Sequence, residues 1–418
     1  MNGLIKKIRE KKARVTIVGL GYVGYPLYKL IIKKGFNVIG LDIDKKKIDE
    51  LKKEGLNVTT DPNEALKDAD CIIVCVPTPI DENHKPDLTF LKSATQTISK
   101  YLKKETLVVI ESTIAPGTTE EIIIPILERS GLKAGKDFYV SHCPERIDPG
   151  NKKWTISNIP RVIGGINKKS TEVTYELYKS IIDAKIVELG SIKSAEATKM
   201  VENAFRDINI AFVNELAKSF DRMGIDILEV IKAASTKPFG FMPHYPGCGV
   251  GGHCIPVDPY YLIHKGEKLG YDFGFLKLAR TINDSMPEYT VQKVITGLNE
   301  IGKCVKNTNI AILGVAYKGG IDDIRESPAL VIIKKLEQLG ANLVIFDPYV
   351  PEKSTAENLD QALEKCECIV IATDHPEFKQ IKPELLKEKG VKVVVDGRNI
   401  LDKEKIKSLG IVYKGIGR

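Results

Sequence analysis

Apolar residues follow two different rhythms along this chain. Arg14-Val15-Thr16-Ile17-Val18 is a short, nearly unbroken apolar run, the kind a strand needs when both faces of its sheet are covered. Runs at 37–41, 71–76, 107–110 and 138–140 repeat it, with helical segments between them. Strands alternating with helices predict a parallel, doubly wound sheet up to about residue 190. From Ser194 to about Met223 the rhythm changes. Ala197, Met200, Val201, Ala204, Ile208, Ala211, Phe212, Leu216 and Phe220 recur at helical spacing with no strand signal, which predicts one long helix. Helices at about 226–234 and 275–300 complete an all-α middle. A helix this long and apolar suits a dimer interface, or else the central strut of a monomer.

Near Thr308 the alternation restarts as a second copy of the first block. Asn309-Ile310-Ala311-Ile312-Leu313-Gly314 parallels Thr16-Ile17-Val18-Gly19, and the run 343–346 ends at Asp347 as the earlier one ends at Asp42. Runs at 368–372 and 391–395 supply further strands. The expectation is two Rossmann-like doubly wound parallel-sheet α/β domains, 1–190 and 301–418, joined by an all-α central domain, 191–300, with a long helix.

Composition narrows the class. A chain of 418 residues, 43% hydrophobic and 28% charged, fits two to three folded domains, and no apolar run approaches the roughly 18 residues of a membrane span. The net charge is +7, from 62 basic and 55 acidic residues. The lysines are scattered, with no basic stripe interleaved with aromatics, so no nucleic-acid partner is expected; the mild excess suits small anionic ligands. The basic-then-apolar start looks like a signal peptide, but Gly19, Gly21 and Gly24 interrupt it, so it is read as a buried first strand. Eight cysteines without a CxxC pair point to a reduced, cytoplasmic setting.

The chemistry begins at Gly19-Leu20-Gly21-Tyr22-Val23-Gly24. This GxGxxG follows a strand and opens a helix, with Asp42 placed 18 residues beyond its last glycine. Gly19 allows the tight turn, Gly21 lets backbone approach a pyrophosphate, and Gly24 permits close helix–strand packing. Asp42 is placed to accept from the adenosine ribose and would repel a 2′-phosphate, which favours NAD over NADP. Thr78, Ser112 and Thr113 lie just past strand ends, where they touch the cofactor or merely cap turns. The second copy has Val315-Ala316-Tyr317-Lys318 after Gly314 and predicts a different ligand.

The densest signal is Gly247-Cys248-Gly249-Val250-Gly251-Gly252-His253-Cys254-Ile255-Pro256-Val257-Asp258. Four glycines make a loop whose backbone can approach a substrate, with Cys254 as candidate nucleophile and Asp258 as candidate acid/base partner. His253 and Cys254 are adjacent and poorly placed to share one ion, so no metal is expected. Lys199, Asn203 and Arg206 fall within about 60° of one another on the long helix, a stripe that suits an oxyanion and phosphate or, equally, a solvated polar face.

In sequence order, these motifs resemble the UDP-glucose/GDP-mannose dehydrogenase family along essentially the whole chain. The resemblance is carried by the glycine motif, Val76-Pro77-Thr78-Pro79, Ser112-Thr113, Cys143-Pro144-Glu145-Arg146 and the segment from Lys199 to Arg206. It continues through the 247–258 loop, Gly314-Val315-Ala316-Tyr317-Lys318, Asp323-Ile324-Arg325-Glu326-Ser327-Pro328 and Asp396-Gly397-Arg398. It implies NAD held by residues 1–190, dimerisation through 191–300 and a UDP-sugar held by 301–418. It also implies a four-electron oxidation of the sugar C6 alcohol to a carboxylate, using two NAD, through a Cys254 thiohemiacetal and thioester.

Lys199 and Asn203 resemble the pair that stabilises the oxyanion, and Asp258 and Glu145 the acid/base and water-orienting carboxylates. The resemblance adds Tyr22, Val23, Lys47 and Arg325 to the cofactor set. For the substrate it implies Arg146, Arg206, His244, Gly251, Lys318 and Arg398, besides Lys199 and Asn203. Within the family, the segments 199–207 and 252–258 resemble enzymes of UDP-N-acetylhexosamines. UDP-N-acetylmannosamine is the favoured substrate, with UDP-N-acetylglucosamine, which the stretch 237–243 suggests, and UDP-glucose as alternatives. Similar enzymes usually have Pro where this chain has Cys248. A two-electron alcohol dehydrogenase and an NAD-responsive regulatory protein are the competing readings, and neither needs a glycine-bracketed nucleophile.

Overall fold

The structure, a computed structural model, describes residues 3–148, 150–151 and 153–418. It divides into two compact units, Met1–Glu202 with Tyr260–Asp272, and Asn203–Pro259 with Phe273–Arg418. This division cuts the long helix between Glu202 and Asn203, whereas the apolar rhythm divides the chain near 190 and 300.

The first unit carries β1 (Arg14–Val18), β2 (Asn37–Leu41), β3 (Val58–Thr59), β4 (Cys71–Val74), β5 (Leu107–Ile110), β6 (Tyr139–His142), β7 (Arg161–Gly165) and β8 (Ile186–Glu188). Their order is β3-β2-β1-β4-β5-β6-β7-β8, and its first six strands follow the Rossmann pattern. Side chains alternate between two cores. Val15, Ile17, Cys71, Ile73, Leu107 and Val109 pack on one face; Val18, Ile72, Val74, Val108 and Ile110 pack on the other. Both faces are therefore dry, which is why these strands read as unbroken apolar runs. The pairing is parallel except between β6 and β7, which run antiparallel. The short β3, β7 and β8 have no clear apolar run and were not anticipated.

The second unit carries β9 (Asn309–Leu313), β10 (Asn342–Phe346), β11 (Cys368–Ile371), β12 (Val393–Asp396) and β13 (Val412–Gly415), all parallel, in the order β10-β9-β11-β12-β13. Ile310, Ile312, Cys368 and Val370 face one core, and Ala311, Leu313, Ile369 and Ile371 the other. The sheet repeats the first without a counterpart of β3.

The long helix spans Ile192–Met223 over 32 residues. The segment expected as one helix over 275–300 is two, Gly274–Asp284 and Met286–Glu300. Pro287 lacks an N–H and is tolerated only in a first turn, so a new helix begins there. A further helix, Asp258–Lys268, starts directly after the glycine loop and was not anticipated. Among the described residues no helix is long and apolar enough to cross a membrane.

Candidate active site

In the first unit, β1 runs into the glycine loop and then into the helix Gly24–Lys33. A Cβ on Gly24 would lie 1.8 Å from the Gly19 carbonyl oxygen, so helix and loop touch backbone to backbone. A Cβ on Gly21 would meet nothing within 4 Å. The helix also has no side-chain cap. An open cradle beside uncapped N–H groups fits the pyrophosphate of a dinucleotide. Tyr22 is exposed and Val23 is the residue at the helix start.

Asp42 closes the loop from the end of β2. Its Oδ2 accepts from Leu20 N–H at 2.8 Å and from Lys47 Nζ at 3.1 Å, and its Oδ1 accepts from Asp44 N–H at 3.0 Å. Burial alone would raise its pKa, but these donors outweigh burial and hold it below the usual carboxylate range. Thr78 is buried and its carbonyl accepts from the Tyr261 hydroxyl at 2.7 Å, whereas Thr113 is half-buried. Ser112 spends its hydroxyl on the Val76 carbonyl at 2.7 Å, which is the turn-capping alternative.

Past β6, Glu145 is buried and its Oε1 accepts from Ile147 N–H at 2.5 Å. Arg146, half-buried, forks onto Glu202 at 3.1 and 2.5 Å and donates to the Pro160 carbonyl at 2.9 Å. A phosphate would have to share this guanidinium with a carboxylate. Lys199 is buried on the long helix.

In the second unit the glycine loop is clamped at both ends to the long helix. Asn203 Nδ2 donates to Asp258 Oδ2 at 2.5 Å, with both side chains buried. Gly247 N–H donates to Asn214 Oδ1 at 3.0 Å, and Asn214 in turn holds Asn283 at 2.9 Å. Eleven positions separate Asn203 from Asn214, close to three whole turns, so both face the loop. Between the clamps, Gly252 N–H donates to the Arg325 carbonyl at 2.9 Å. A Cβ on Gly251 would lie 2.6 Å from Tyr317 Cβ and 2.7 Å from the Glu326 carbonyl oxygen. Gly251 thus also lets the loop pack closely against the protein itself.

Cys254 is exposed, and its carbonyl accepts from Asp258 N–H at 2.8 Å as the next helix begins. Cys248 is fully buried, with its thiol 3.3 Å from the Ala372 carbonyl and its pKa pushed up by burial. Two loop cysteines six residues apart therefore have opposite environments.

Of the other predicted residues, Arg206 is exposed on the flank of the stripe that buries Lys199 and Asn203. His244 is half-buried, its Nδ1 3.1 Å from the Met242 carbonyl and its ring edge-on to Phe205 at 6.0 Å. Lys318 is half-buried in the loop after β9. Arg398 donates to the Ala372 carbonyl at 2.8 Å and the Tyr317 carbonyl at 3.0 Å. Arg325 forks onto Asp323, with contacts from 2.6 to 3.1 Å.

Three family descriptions cover most of the chain. The UDP-glucose/GDP-mannose dehydrogenase family NAD binding domain matches residues 13–58 and 52–182, its central domain 193–285 and its UDP binding domain 311–403. The chain belongs to the UDP-glucose/GDP-mannose dehydrogenase family. It is 37% identical to a UDP-N-acetyl-D-mannosamine dehydrogenase of Pyrococcus horikoshii, over 97% of this chain and 99% of that one. It is 38% identical to a UDP-N-acetyl-D-glucosamine 6-dehydrogenase of Pseudomonas aeruginosa, over 94% and 99%. Among solved structures, the UDP-D-ManNAc dehydrogenase from Pyrococcus horikoshii superposes with a TM-score of 0.89 at 37% identity, covering 97% and 99%. As a family member the protein is a nucleotide-sugar dehydrogenase with an NAD-binding domain and a UDP-binding domain.

The corresponding loops of the two sheets differ in how their N–H groups are used. In the second copy, Asp347 Oδ2 accepts from Val315 N–H at 2.7 Å, Ala316 N–H at 2.9 Å and His375 Nε2 at 3.0 Å. Two loop N–H groups are consumed there by a side chain, whereas Asp42 takes only Leu20 N–H from the first loop. Sequence reasoning missed Asp207, Asn214, Arg280 and Asn283. Asp207 is fully buried and binds Arg280 at 2.6 Å and Asn283 at 2.8 Å. The signal was present: Glu196, Lys199, Asn203, Asp207 and Asn214 fall within about 80° of one another on the long helix.

Proposed function

We propose that this dehydrogenase oxidises the C6 hydroxyl of UDP-N-acetylmannosamine to the carboxylate, consuming two NAD per sugar. The observation that carries the reading is Cys254: the one exposed cysteine in the glycine loop, ahead of an Asp258 already hydrogen-bonded to Asn203. Similarity to a UDP-N-acetyl-D-mannosamine dehydrogenase supports the sugar. Similarity to a UDP-N-acetyl-D-glucosamine 6-dehydrogenase supports the second reading, the C2 epimer.

Residues of the 1–190 segment hold NAD through Gly19, Gly21, Tyr22, Val23, Gly24, Asp42, Lys47, Thr78 and Thr113, with Arg325 also assigned to the cofactor. Bound NAD supplies the hydride acceptor for alcohol and captured aldehyde alike. Lys199 and Asn203 stabilise the developing oxyanion. Cys254 thiolate adds to the aldehyde and prevents its escape. Asp258 exchanges protons with the substrate oxygen, and Glu145 activates the water that cleaves the thioester. Arg146, Arg206, His244, Gly251, Lys318 and Arg398 hold the nucleotide sugar, with 301–418 as the UDP-binding segment. Guanidinium groups suit diphosphate because they bind it by paired hydrogen bonds.

Val201, Phe205 and Phe212 expose 60, 45 and 54% of their surface along one face of the long helix. We assign this face to a homodimer of a cytoplasmic enzyme. In sedimentation equilibrium the protein runs as a dimer and Phe212→Lys loosens it; a strictly monomeric wild type overturns that assignment. For the activity, NADH release is measured across UDP-N-acetylmannosamine, UDP-N-acetylglucosamine and UDP-glucose. The expected result is two NADH per sugar and the highest kcat/KM for the first. One NADH per sugar rejects the four-electron reading, and a higher kcat/KM for another sugar replaces the substrate.

A further inference from the structure

Arg161 opens β7 and is, among the described residues, the largest side chain with no solvent exposure. Because β7 runs antiparallel to β6, its first residue lies at the same sheet edge as the last residues of β5 and β6. Ser141 stands opposite Gly165 and His142 opposite Gly164, so the chain leaving β6 passes the Arg161 end of β7 and brings Glu145 beside it. Arg161 Nη1 is 3.7 Å from Glu145 Oε1 and 3.6 Å from Glu111 Oε2. The Tyr178 hydroxyl donates to the other oxygen of Glu111. This edge, outside the carboxyl ends of the strands, is where open α/β sheets bind ligands.

One guanidinium cannot neutralise two carboxylates. Glu111 is the more deeply buried of the two, at 1% exposure against 7% for Glu145. Burial pushes the Glu111 carboxyl up toward its neutral form, and the nearby Arg161 charge opposes this only in part. The cation is then left to serve Glu145. A buried ion pair contributes little net stability over well-packed apolar residues, so stability alone gives weak reason for a charge at this position.

We propose that Arg161 is a positioning residue for the hydrolytic half of the reaction, its buried guanidinium holding the Glu145 carboxylate from one side while Ile147 N–H fixes its direction. The proposal rests on the reading of Glu145 as the group that activates water. In that step the water oxygen bonds to the acyl carbon and one water proton passes to Glu145. The carbon–sulfur bond breaks, and Cys254 sulfur leaves with its electron pair as thiolate.

The test compares Arg161→Met/Glu111→Gln, which removes the buried cation together with the carboxyl group beside it, with Arg161→Lys, which keeps the positive charge. Glu145→Gln is the control. The double variant is expected to bind NADH normally by fluorescence titration and to keep KM for the sugar. Its kcat for acid formation should fall about tenfold or more, with acyl-Cys254 accumulating in mass spectra. Arg161→Lys should recover most of kcat without accumulating acyl-Cys254. An unmoved kcat in an NADH-binding double variant, with no acyl-Cys254 in its mass spectra, overturns the proposal. A double variant that cannot fold, together with Arg161→Lys losing kcat as Glu145→Gln does, also overturns it, because the charge would then not be what matters. Glu145→Gln forming acid at the wild-type rate would instead defeat the reading of Glu145, whatever the Arg161 variants do.

Discussion

Asn203 donates its amide N–H to the Asp258 carboxylate at 2.5 Å, joining the long helix to the first residue of the helix that follows the glycine loop. Both side chains are buried, so the bond is screened little by water. Asn203→Ala removes a donor from a buried carboxylate. We expect a loss of about 1–3 kcal/mol in urea unfolding and a fall in kcat of about 10²-fold or more. Asn203→Asp sets two carboxylates against each other, so its stability deficit should shrink on going from about pH 7 to about pH 4 as one takes a proton. A deficit independent of pH would show that the two groups do not face each other in solution.

Cys254 and Cys248 make an internal comparison. Cys254→Ala removes an exposed sulfur and should leave NAD binding intact while abolishing acid formation. Cys254→Ser should still capture the aldehyde and stall as an ester visible by mass spectrometry. Cys248→Ala opens a small hole in the second unit's core and should cost about 1 kcal/mol or somewhat more, with activity retained. The assignment fails if Cys248→Ala is the dead variant or if Cys254→Ala still yields two NADH per sugar.

The last two glycines of the nucleotide motif should respond differently to the same methyl group. Gly24→Ala places a Cβ 1.8 Å from the Gly19 carbonyl oxygen, so the loop must move and the apoprotein should lose stability as well as NADH affinity. Gly21→Ala meets no protein atom within 4 Å and should leave the melting temperature unchanged while weakening NADH. Calorimetry and NADH titration of both variants check this; equal effects on stability would contradict the open cradle.

His142 on β6 gives the first unit an acid-side sensitivity. Complete burial lowers its pKa from 6.5 to about 3. Between those values the unfolded chain binds a proton that the folded chain does not. Stability from this group is therefore full above about pH 6.5 and declines by up to about 1.4 kcal/mol per unit as pH falls toward 3. His142→Leu should flatten that slope in urea unfolding at about pH 7 and about pH 5. An unchanged slope would mean that the ring titrates in the native state.

Much of this was legible in the chain. Apolar runs of four or five residues identify strands covered on both faces, because a polar side chain there needs an internal partner, as Thr16 finds at the Ala65 carbonyl; β1, β4, β5 and β9 follow that rule. The glycine motif is legible because its constraint is local: Gly24 must touch Gly19, five residues away. Cys254 and Asp258 share one short loop, so their association also needs no tertiary information.

What only the tertiary structure decided was the fate of polar side chains whose partners lie far along the chain. Asn203 meets Asp258 across 55 residues, Asp207 meets Asn283 across 76, and Cys248 reaches Ala372 across 124. Spacing on the helix shows that Lys199, Asn203 and Arg206 share a side, but not that the first two are buried and the third is solvated. The antiparallel turn of β7, which sets Arg161 beside Glu145, leaves no mark in the apolar rhythm. Strand direction is fixed by how the backbone hydrogen bonds pair, and alternation of side chains looks the same whichever way a strand runs.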